Sequence, residues 1–219
     1  MTYYILTIFP DIFASYVNES ILKRAQEKRI IKIKPINFRD YTADKHKTVD
    51  DKPYGGGTGM VMKVDPIYKA LKNLKRLNGK SRIILLTPQG KKFSHKIAQR
   101  LSKYENVVFV CGRYEGIDAR VEKFVDEKIS IGDYVVTGGE LPAMVMIDSI
   151  TRLLPGVLGN KNSIKEESHS SVGMIEYPQY TRPEVFEADG KKIKVPKVLL
   201  SGDHKKIAEW RGKNMKKAK

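Results

Sequence analysis

Three glycine-containing segments follow three apolar runs and could form one binding site. They are TPQG at residues 87–90, GRYEG at 112–116 and SIGDYVVTGG at 130–139. Glycine lets the backbone approach a bound molecule closely, although it is also common in ordinary turns. Because three such segments occupy equivalent positions after apolar runs, a shared ligand site is favoured over three unrelated turns.

The glycine segments lack the features of a phosphate-binding loop. GGGTGM at 55–60 and TGGE at 137–140 have no Gly-Lys-Ser/Thr ending, and no G-x-G-x-x-G opens a helix after the first apolar run. A nucleoside triphosphate or a dinucleotide is therefore disfavoured. An adenosine-bearing ligand without phosphates, such as S-adenosylmethionine, fits these segments, but the residue types alone do not single it out.

The elements predicted around these segments place them at one edge of a sheet. Strands are predicted at 2–9, 30–37, 82–86, 107–111 and 127–136, with helical patterns between them. Strands that alternate with helices indicate an α/β fold with a mostly parallel sheet. Since the ends of neighbouring parallel strands lie side by side, the three glycine segments are expected to converge on one crevice.

Helices are predicted from the apolar periodicity and its flanking residues. One should begin with Asp65 as its N-cap, one should follow Ser94, one should carry residues 117–125, and a largely apolar one should span about 141–154.

The composition divides the chain into two domains. The α/β domain is predicted at 1–158, a polar, flexible linker at 159–176, and a small, mainly helical domain at 177–219. The small domain has a hairpin signal at Asp189-Gly190, followed by a basic segment in which Ile207 and Trp210 give an apolar side at helical spacing.

The net charge indicates a polyanionic partner. The chain has 219 residues and 41 lysines and arginines against 25 acids, a formal charge of +16. Such an imbalance is typical of proteins that bind nucleic acid, with an anionic membrane as the weaker alternative. Part of the positive charge lies in the last predicted domain. This charge indicates that the domain is a small basic module, although a basic helix that is merely solvated is the ordinary alternative.

Several classes of protein are disfavoured by composition. A single cysteine, Cys111, allows neither an internal disulfide framework nor a multi-cysteine zinc site, and the four histidines have no metal-ligand spacing. No apolar run approaches the roughly 20 residues of a membrane span, and no basic n-region precedes the first apolar residues. A cytoplasmic location without a membrane partner is therefore expected.

Longer motifs identify a family. TIFPDIF, NFRDYTADKHKTVDDKPYGGGTGMVMK, LLTPQG, CGRYEGID, SIGDYVVTGGELPAM and YTRPEV occur in order from Met1 to about residue 212. They closely resemble the bacterial tRNA (guanine-N1)-methyltransferases, the TrmD family of the SPOUT superfamily. The resemblance implies a deep trefoil knot at about 84–142, an obligate homodimer, and a C-terminal domain that binds the anticodon stem-loop of tRNA rather than DNA. The implied product is 1-methylguanosine at position 37.

The resemblance also implies a set of residues that hold S-adenosylmethionine, largely through backbone atoms. These are Leu85, Leu86, Thr87, Pro88, Gln89, Gly90, Gly112, Tyr114, Glu115, Gly116, Ser130, Ile131, Gly132, Asp133, Tyr134, Val135, Val136, Gly138, Gly139 and Pro142.

Methyl transfer to N1 of guanine needs a base for the N1 proton and a cation near O6. By the resemblance Arg152 supplies the cation, although an ion pair with Asp148 one helical turn away is the ordinary alternative. The position of the family's usual aspartate is occupied by Glu167, which is expected to be the base, with Glu166 as the second candidate. The longer side chain moves the carboxylate by about a bond length, and about 1 Å of misplacement can cost roughly a hundredfold in rate.

Two further groups are expected to contact the tRNA. Around the target guanine they are Asp50, Gly55, Gly56 and Gly59, and along the phosphate backbone they are Lys191, Lys192, Lys205, Lys206 and Arg211. The family requires Mg²⁺, but this sequence has neither a phosphate-binding loop nor an obvious cage of carboxylates that would hold the ion. A non-catalytic RNA-binding protein and a SPOUT enzyme that methylates ribose or another base are the alternatives.

Overall fold

The chain forms two compact units, Met1–Gly159 and Asn160–Lys219. The structure, a computed structural model, describes residues 1–74, 77–159, 168 and 174–217. The predicted linker at 159–176 lies largely outside these described residues, so the three-part division of the chain stays a prediction.

The first unit alternates strands and helices. Its strands are β1 (Thr2–Thr7), β2 (Lys32–Asn37), β3 (Asp50–Asp51), β4 (Val61–Met62), β5 (Ser81–Lys92), β6 (Asn106–Cys111) and β7 (Glu127–Ser130). Its α-helices are α1 (Ala14–Val17), α2 (Ser20–Glu27), α3 (Val64–Leu74), α4 (His95–Leu101) and α5 (Glu140–Thr151), and 3₁₀ segments span Pro10–Phe13, Phe38–Tyr41 and Ala119–Phe124.

The principal sheet is parallel, as predicted. Its described strands run in the order β2-β1-β6-β5-β7, and every neighbouring pair is parallel. All six residues of β6 are buried, which explains why its sequence, NVVFVC, is apolar almost throughout. Because β6, β5 and β7 are parallel neighbours, the segments that follow β6 and β7 lie beside residues 87–90 of β5.

Each face of the sheet is covered by its own apolar cluster. Because side chains alternate along a strand, Val107 and Phe109 of β6 join the cluster that includes residues of α2, α4 and α5. Val108 and Val110 join the other cluster, which includes residues of α3 and of the 3₁₀ segments Phe38–Tyr41 and Ala119–Phe124. This two-sided burial fixes the positions of the strand ends that carry the glycine segments.

Strand β5 extends beyond the predicted 82–86. Its first part pairs with β7 up to Leu86, the register then shifts, and Lys91 pairs with the same Ile129 that faces Leu86. Residues 87–90 therefore bulge out of the ladder instead of ending the strand. A Cβ added at Gly90 would lie 2.4 Å from the backbone nitrogen of Ile129, so only glycine lets the two chains meet this closely.

Three local predictions were wrong. Residues 117–125 contain no α-helix but the 3₁₀ segment Ala119–Phe124, whose first turn is capped by Asp118 accepting from the Arg120 N–H. Strand β7 ends at Ser130 rather than 136, because the Ser130 hydroxyl hydrogen-bonds both the N–H and the carbonyl of Gly132. Helix α3 begins at Val64, so that Asp65 lies inside its first turn.

The second unit combines short strands and helices. Its described elements are β8 (Met174–Ile175), β9 (Val185–Ala188), β10 (Lys191–Lys194), α6 (Lys197–Leu200), α7 (His204–Asn214) and β11 (Lys216–Lys217). The predicted hairpin is confirmed: β9 and β10 are antiparallel, and Asp189 and Gly190 both have positive φ. The predicted basic helix is α7, in which Trp210 makes edge contacts with Tyr177 and Tyr180.

Candidate active site

A crevice of about 330 Å³ lies where the three glycine segments converge, within the range of ligand sites. The bulge at 87–90 within β5 and the segments that follow β6 and β7 all contribute to its lining, together with the start of α5. The predicted donor-binding residues that line the crevice are Leu85, Leu86, Thr87, Pro88, Gln89, Gly112, Tyr114, Glu115, Gly116, Ser130, Ile131, Tyr134, Val135, Val136, Gly138, Gly139 and Pro142.

Three predicted donor-binding residues lie outside this lining, namely Gly90, Gly132 and Asp133. Gly90 packs against the β7 backbone, as described above. Gly132 has a φ of +156° and forms the turn with Ser130. The Asp133 carboxylate pairs with the ammonium of Lys92. Each therefore has a structural role beside the crevice, and their contact with the donor stays a prediction.

The lining includes residues that the sequence reasoning missed, namely Arg113, Ile117, Glu122, Ile129 and Thr137. Arg113 lies between two residues that were predicted to bind the donor, and Thr137 directly precedes the glycine pair. Their position within the predicted loops was therefore a signal in the sequence that Arg113 and Thr137 line the crevice.

The second and third segments touch through their backbones. The Gly139 N–H donates to the carbonyl of Gly112 at 2.9 Å, and a Cβ added at Gly139 would lie 2.6 Å from Cys111 Cα. By contrast, Tyr114, Tyr134 and Val135 are each more than half exposed and form the rim of the crevice. Tyr114 also has a φ of +58°, a left-handed conformation that is uncommon for a residue with a side chain.

An ion pair joins the second segment to the start of α5. The Arg113 Nε donates to the Glu140 carboxylate at 2.9 Å, and its Nη1 lies 3.3 Å from both the carbonyl and the hydroxyl of Thr137. The other Glu140 oxygen accepts from the Thr7 hydroxyl at 2.7 Å. The Arg113 guanidinium also lies over the Phe9 ring, 4.7 Å from its centroid.

The glycine-rich loop between β3 and β4 is attached to the crevice. The Glu115 N–H donates to the carbonyl of Met60, and the Met62 N–H donates to the carbonyl of Gly116. The Glu115 side chain lies over Gly59, where an added Cβ would be 2.5 Å from its Cγ.

Other residues of that loop are less constrained. Gly55 and Gly56 have positive φ and no atom within 4 Å of an added Cβ, and Asp50 is half-buried opposite Met62. Of the residues predicted to contact guanine, Gly59 is thus the one with a demonstrated link to a crevice residue.

The structure describes only one of the two predicted catalytic residues, Arg152. Arg152 directly follows α5, is half-buried, and its backbone N–H donates to the carbonyl of Asp148. The Asp148 carboxylate accepts a 2.6 Å hydrogen bond from the Tyr16 hydroxyl, which raises the pKa of Tyr16 to about 12. Glu167 lies outside the described residues, as does Glu166. Their roles stay predictions.

The predicted phosphate contacts are all exposed in the second unit. Lys192 pairs with Glu187 at 3.1 Å and Lys206 with Asp203 at 3.2 Å, whereas Arg211 lies over the Tyr177 ring at 5.0 Å. Lys191 begins β10 and Lys205 lies in the first turn of α7. These cations are presented from a hairpin and a helix.

The described residues also bear on two other classes of site. They contain no group of three or more His, Cys, Asp or Glu that could hold a metal ion, so the Mg²⁺ prediction gains no support. None of the helices that the structure describes is both long and apolar enough to span a membrane.

The fold and the site define the class of protein, an α/β protein with a parallel sheet whose glycine segments enclose a crevice. The family model described as "tRNA (Guanine-1)-methyltransferase TrmD" matches residues 1–219, and the chain belongs to this family. The family predicted from the motifs is thereby confirmed.

Individual relatives agree with this assignment. The tRNA (guanine-N(1)-)-methyltransferase of Desulfitobacterium hafniense is 55% identical over 213 residues, covering 97% of this chain and 79% of the relative. That of Carboxydothermus hydrogenoformans is 57% identical, covering 95% of this chain and 80% of the relative. The crystal structure of tRNA (m1G37) methyltransferase from Aquifex aeolicus superposes with a TM-score of 0.79 at 41% identity, covering 96% of this chain and 87% of that one.

Proposed function

We propose that this enzyme transfers a methyl group from S-adenosylmethionine to N1 of guanosine 37 in tRNA. The match of the whole chain to the methyltransferase family supports the class of reaction, and the solved relative is named as a tRNA (m1G37) methyltransferase. The crevice formed by three loops at the strand ends is the feature of this chain that suits the donor.

The crevice fits a nucleoside that carries a sulfonium. Its lining includes Leu86, Gly112 and Ile131 beside apolar residues, and two acidic residues, Glu115 and Glu122, of which Glu122 is paired with Lys128 at 2.8 Å. A purine ring requires flat apolar contacts with a few hydrogen bonds, whereas a sulfonium is favoured near negative charge. S-adenosylmethionine supplies an electrophilic methyl group, and no residue of the chain needs to carry that group.

The remaining chemistry is assigned to two side chains. Glu167 accepts the N1 proton of guanine while the bond from N1 to the methyl carbon forms and the bond from sulfur breaks. Arg152 stabilises the negative charge that develops on O6. Arg152 directly follows α5, and its assignment rests on the family resemblance. Support for Glu167 is the family resemblance alone.

Recognition of tRNA is assigned to both units. Asp50 and the glycine loop contact the target guanine, since Gly59 of this loop touches the crevice residue Glu115. The exposed cations of the second unit, among them Lys205 and Arg211, neutralise backbone phosphates, so binding should weaken steeply as salt rises. The target base must leave its stack to react, which costs a few kcal/mol and is least costly in a loop.

A homodimer is proposed because the first unit exposes apolar side chains beside the crevice. Phe9, Ile12, Tyr16, Leu141 and Val145 are each 38–53% exposed. Leu141 and Val145 are one turn apart on α5, and the Tyr16 hydroxyl joins this helix through Asp148. A second copy of the chain would remove these side chains from water and bring its own residues close to the crevice.

The knot and the cytoplasmic location are also proposals. The close packing of the three loops, in which Gly90 meets the β7 backbone and Gly139 meets Cys111, is what a threaded chain at 84–142 requires.

The proposed reaction is tested by incubating the protein with S-adenosylmethionine and an unmodified tRNA transcript, followed by mass spectrometry of the nucleosides. The expected result is 1-methylguanosine confined to position 37. A methylated ribose or a different base would establish one alternative. Tight binding of tRNA without any methylation or donor binding would establish the other, a non-catalytic RNA-binding protein.

The base is tested separately with Glu167→Gln. Single-turnover methylation should fall by roughly a hundredfold or more, because general-base catalysis typically contributes 10²–10⁴-fold. Binding of tRNA should be retained. Near-normal single-turnover methylation by this variant would remove Glu167 from the mechanism and make Glu166→Gln the next variant to measure.

A further inference from the structure

Glu140 is a charged side chain in a place where charge is unfavourable. It begins α5 and is only 1% exposed. A buried carboxylate needs both an opposite charge and hydrogen bonds to offset its lost hydration. Here Arg113 supplies the charge at 2.9 Å, and the fully buried Thr7 supplies a 2.7 Å hydrogen bond from the end of β1.

Arg113 is held at several points at once. Besides its bond to Glu140, its Nη1 lies within 3.3 Å of the Thr137 carbonyl and hydroxyl, and its guanidinium stacks on Phe9. A guanidinium is planar and its donors have fixed directions, so these contacts fix its orientation. Arg113 itself lines the crevice, as does Thr137.

The glycine pair of the third segment lies directly on this arginine. A Cβ added at Gly138 would lie 2.3 Å from the Arg113 Nε and 2.6 Å from Glu140 Oε2. The next residue, Gly139, donates its N–H to the Gly112 carbonyl. The position of the 137–139 backbone relative to the second segment is therefore set by the side chain of Arg113 and the backbone of Gly112.

We propose that Arg113, oriented by Glu140, is a positioning residue that fixes the 137–139 wall of the crevice at the distance that donor binding requires. The inference rests on the proposed function, because it concerns the same crevice and the same donor. It assigns to the ion pair a role in the affinity for S-adenosylmethionine and none in the binding of tRNA or in proton transfer.

The test compares Arg113→Lys and Glu140→Gln with the wild type. The dissociation constant for S-adenosylmethionine by calorimetry, and the donor KM, should rise about tenfold or more, since a charge-assisted hydrogen bond contributes roughly that factor. The affinity for tRNA should be unchanged, and kcat at saturating donor should fall much less than the KM rises. In an Arg113→Gln background, Glu140→Gln should add little, because both changes remove the same contact.

Glu127→Gln is the matched control. It breaks another carboxylate–arginine interaction of the same unit, with Arg82 and Arg100, and Glu127 is not part of the crevice lining. This variant should lower the thermal midpoint without changing the donor KM. If Arg113→Lys and Glu140→Gln behave like this control, with lower stability but unaltered donor affinity, the ion pair is merely structural and the inference is overturned.

A third variant keeps the inference testable if one of the first two fails to fold. Thr7→Val removes the hydroxyl that donates to Glu140 and that accepts from the Phe9 N–H at 2.9 Å, and it should weaken donor binding in the same direction by a smaller factor. An unchanged donor affinity in folded Thr7→Val and folded Arg113→Lys would contradict the inference. A wild-type protein that neither binds the donor nor methylates tRNA would instead contradict the proposed function, so the two failures are distinguishable.

Discussion

Replacing Gly139 with alanine tests the crevice through a single methyl group. Gly139 has a φ of −76°, which any residue adopts readily, so the substitution introduces no backbone strain. Its Cβ, however, would lie 2.6 Å from Cys111 Cα, 3.0 Å from Cys111 Cβ and 3.1 Å from Gly112 N. Cys111 is fully buried, so the strain must be relieved by movement of the loops.

The size of the effect follows from these distances. Ordinary van der Waals contact begins at 3.4 Å, so the 2.6 Å approach requires the second and third segments to separate by about 0.8 Å. Overpacking of this kind typically costs about 1–3 kcal/mol of stability. A displacement close to 1 Å at a reacting site can lower the rate roughly a hundredfold, so kcat/KM should fall by about that factor.

The measurement is transfer of a labelled methyl group to tRNA at several donor concentrations, with the thermal midpoint recorded in parallel. Gly159→Ala is the matched control, because no atom lies within 4 Å of the added Cβ and this glycine is remote in sequence from the three segments. It should retain the wild-type rate. If Gly139→Ala also keeps the wild-type kcat/KM, the close contact between the segments does not shape the active site and the reasoning fails.

Two further predictions concern the stability and reactivity of the first unit. Burial alone would raise the pKa of Glu127, but hydrogen bonds from Arg100 and Arg82 outweigh burial and lower it. The resulting stabilisation is present above the unfolded pKa of about 4.3 and is lost as pH falls through the lower folded value, so Glu127→Gln should cost about 1–2 kcal/mol at pH 7 and progressively less below pH 4. Urea unfolding at several pH values checks this, and a cost independent of pH would contradict it. Complete burial raises the pKa of the Cys111 thiol, so a thiol reagent should modify the denatured protein at least a hundredfold faster than the native one; comparable rates would show that the second segment opens.

The parts of the fold that were predictable are those in which local pattern and burial agree. The all-apolar β6 and the Asp189-Gly190 hairpin are examples, since each pattern has one favoured structure. The helix predicted over 117–125 failed because Ile117 pairs with Met62 in a parallel bridge and Val125 has an extended backbone, so the helical part is limited to the 3₁₀ segment that Asp118 caps. Periodicity could not predict the bulge at 87–90 either, because its cause is a contact between Gly90 and a distant strand.

The candidate site was predictable in its outline and not in its internal contacts. Strand-end glycines and the family motifs located the crevice, because glycine is needed where Gly139 meets Cys111. The ion pair between Arg113 and Glu140 depends on residues 27 positions apart, and no local pattern distinguishes such a pair from two solvated charges. Only the folded sheet, which brings Thr7 to the same place, reveals it.

Whether the crevice holds the methyl donor is tested by a crystal structure of the protein soaked with a non-reactive analogue of S-adenosylmethionine. We expect density for the analogue in the crevice, with its adenosine against the backbone of the 85–90, 112–116 and 130–139 segments. An empty crevice, with the analogue bound at another site of the same crystal, would contradict the account.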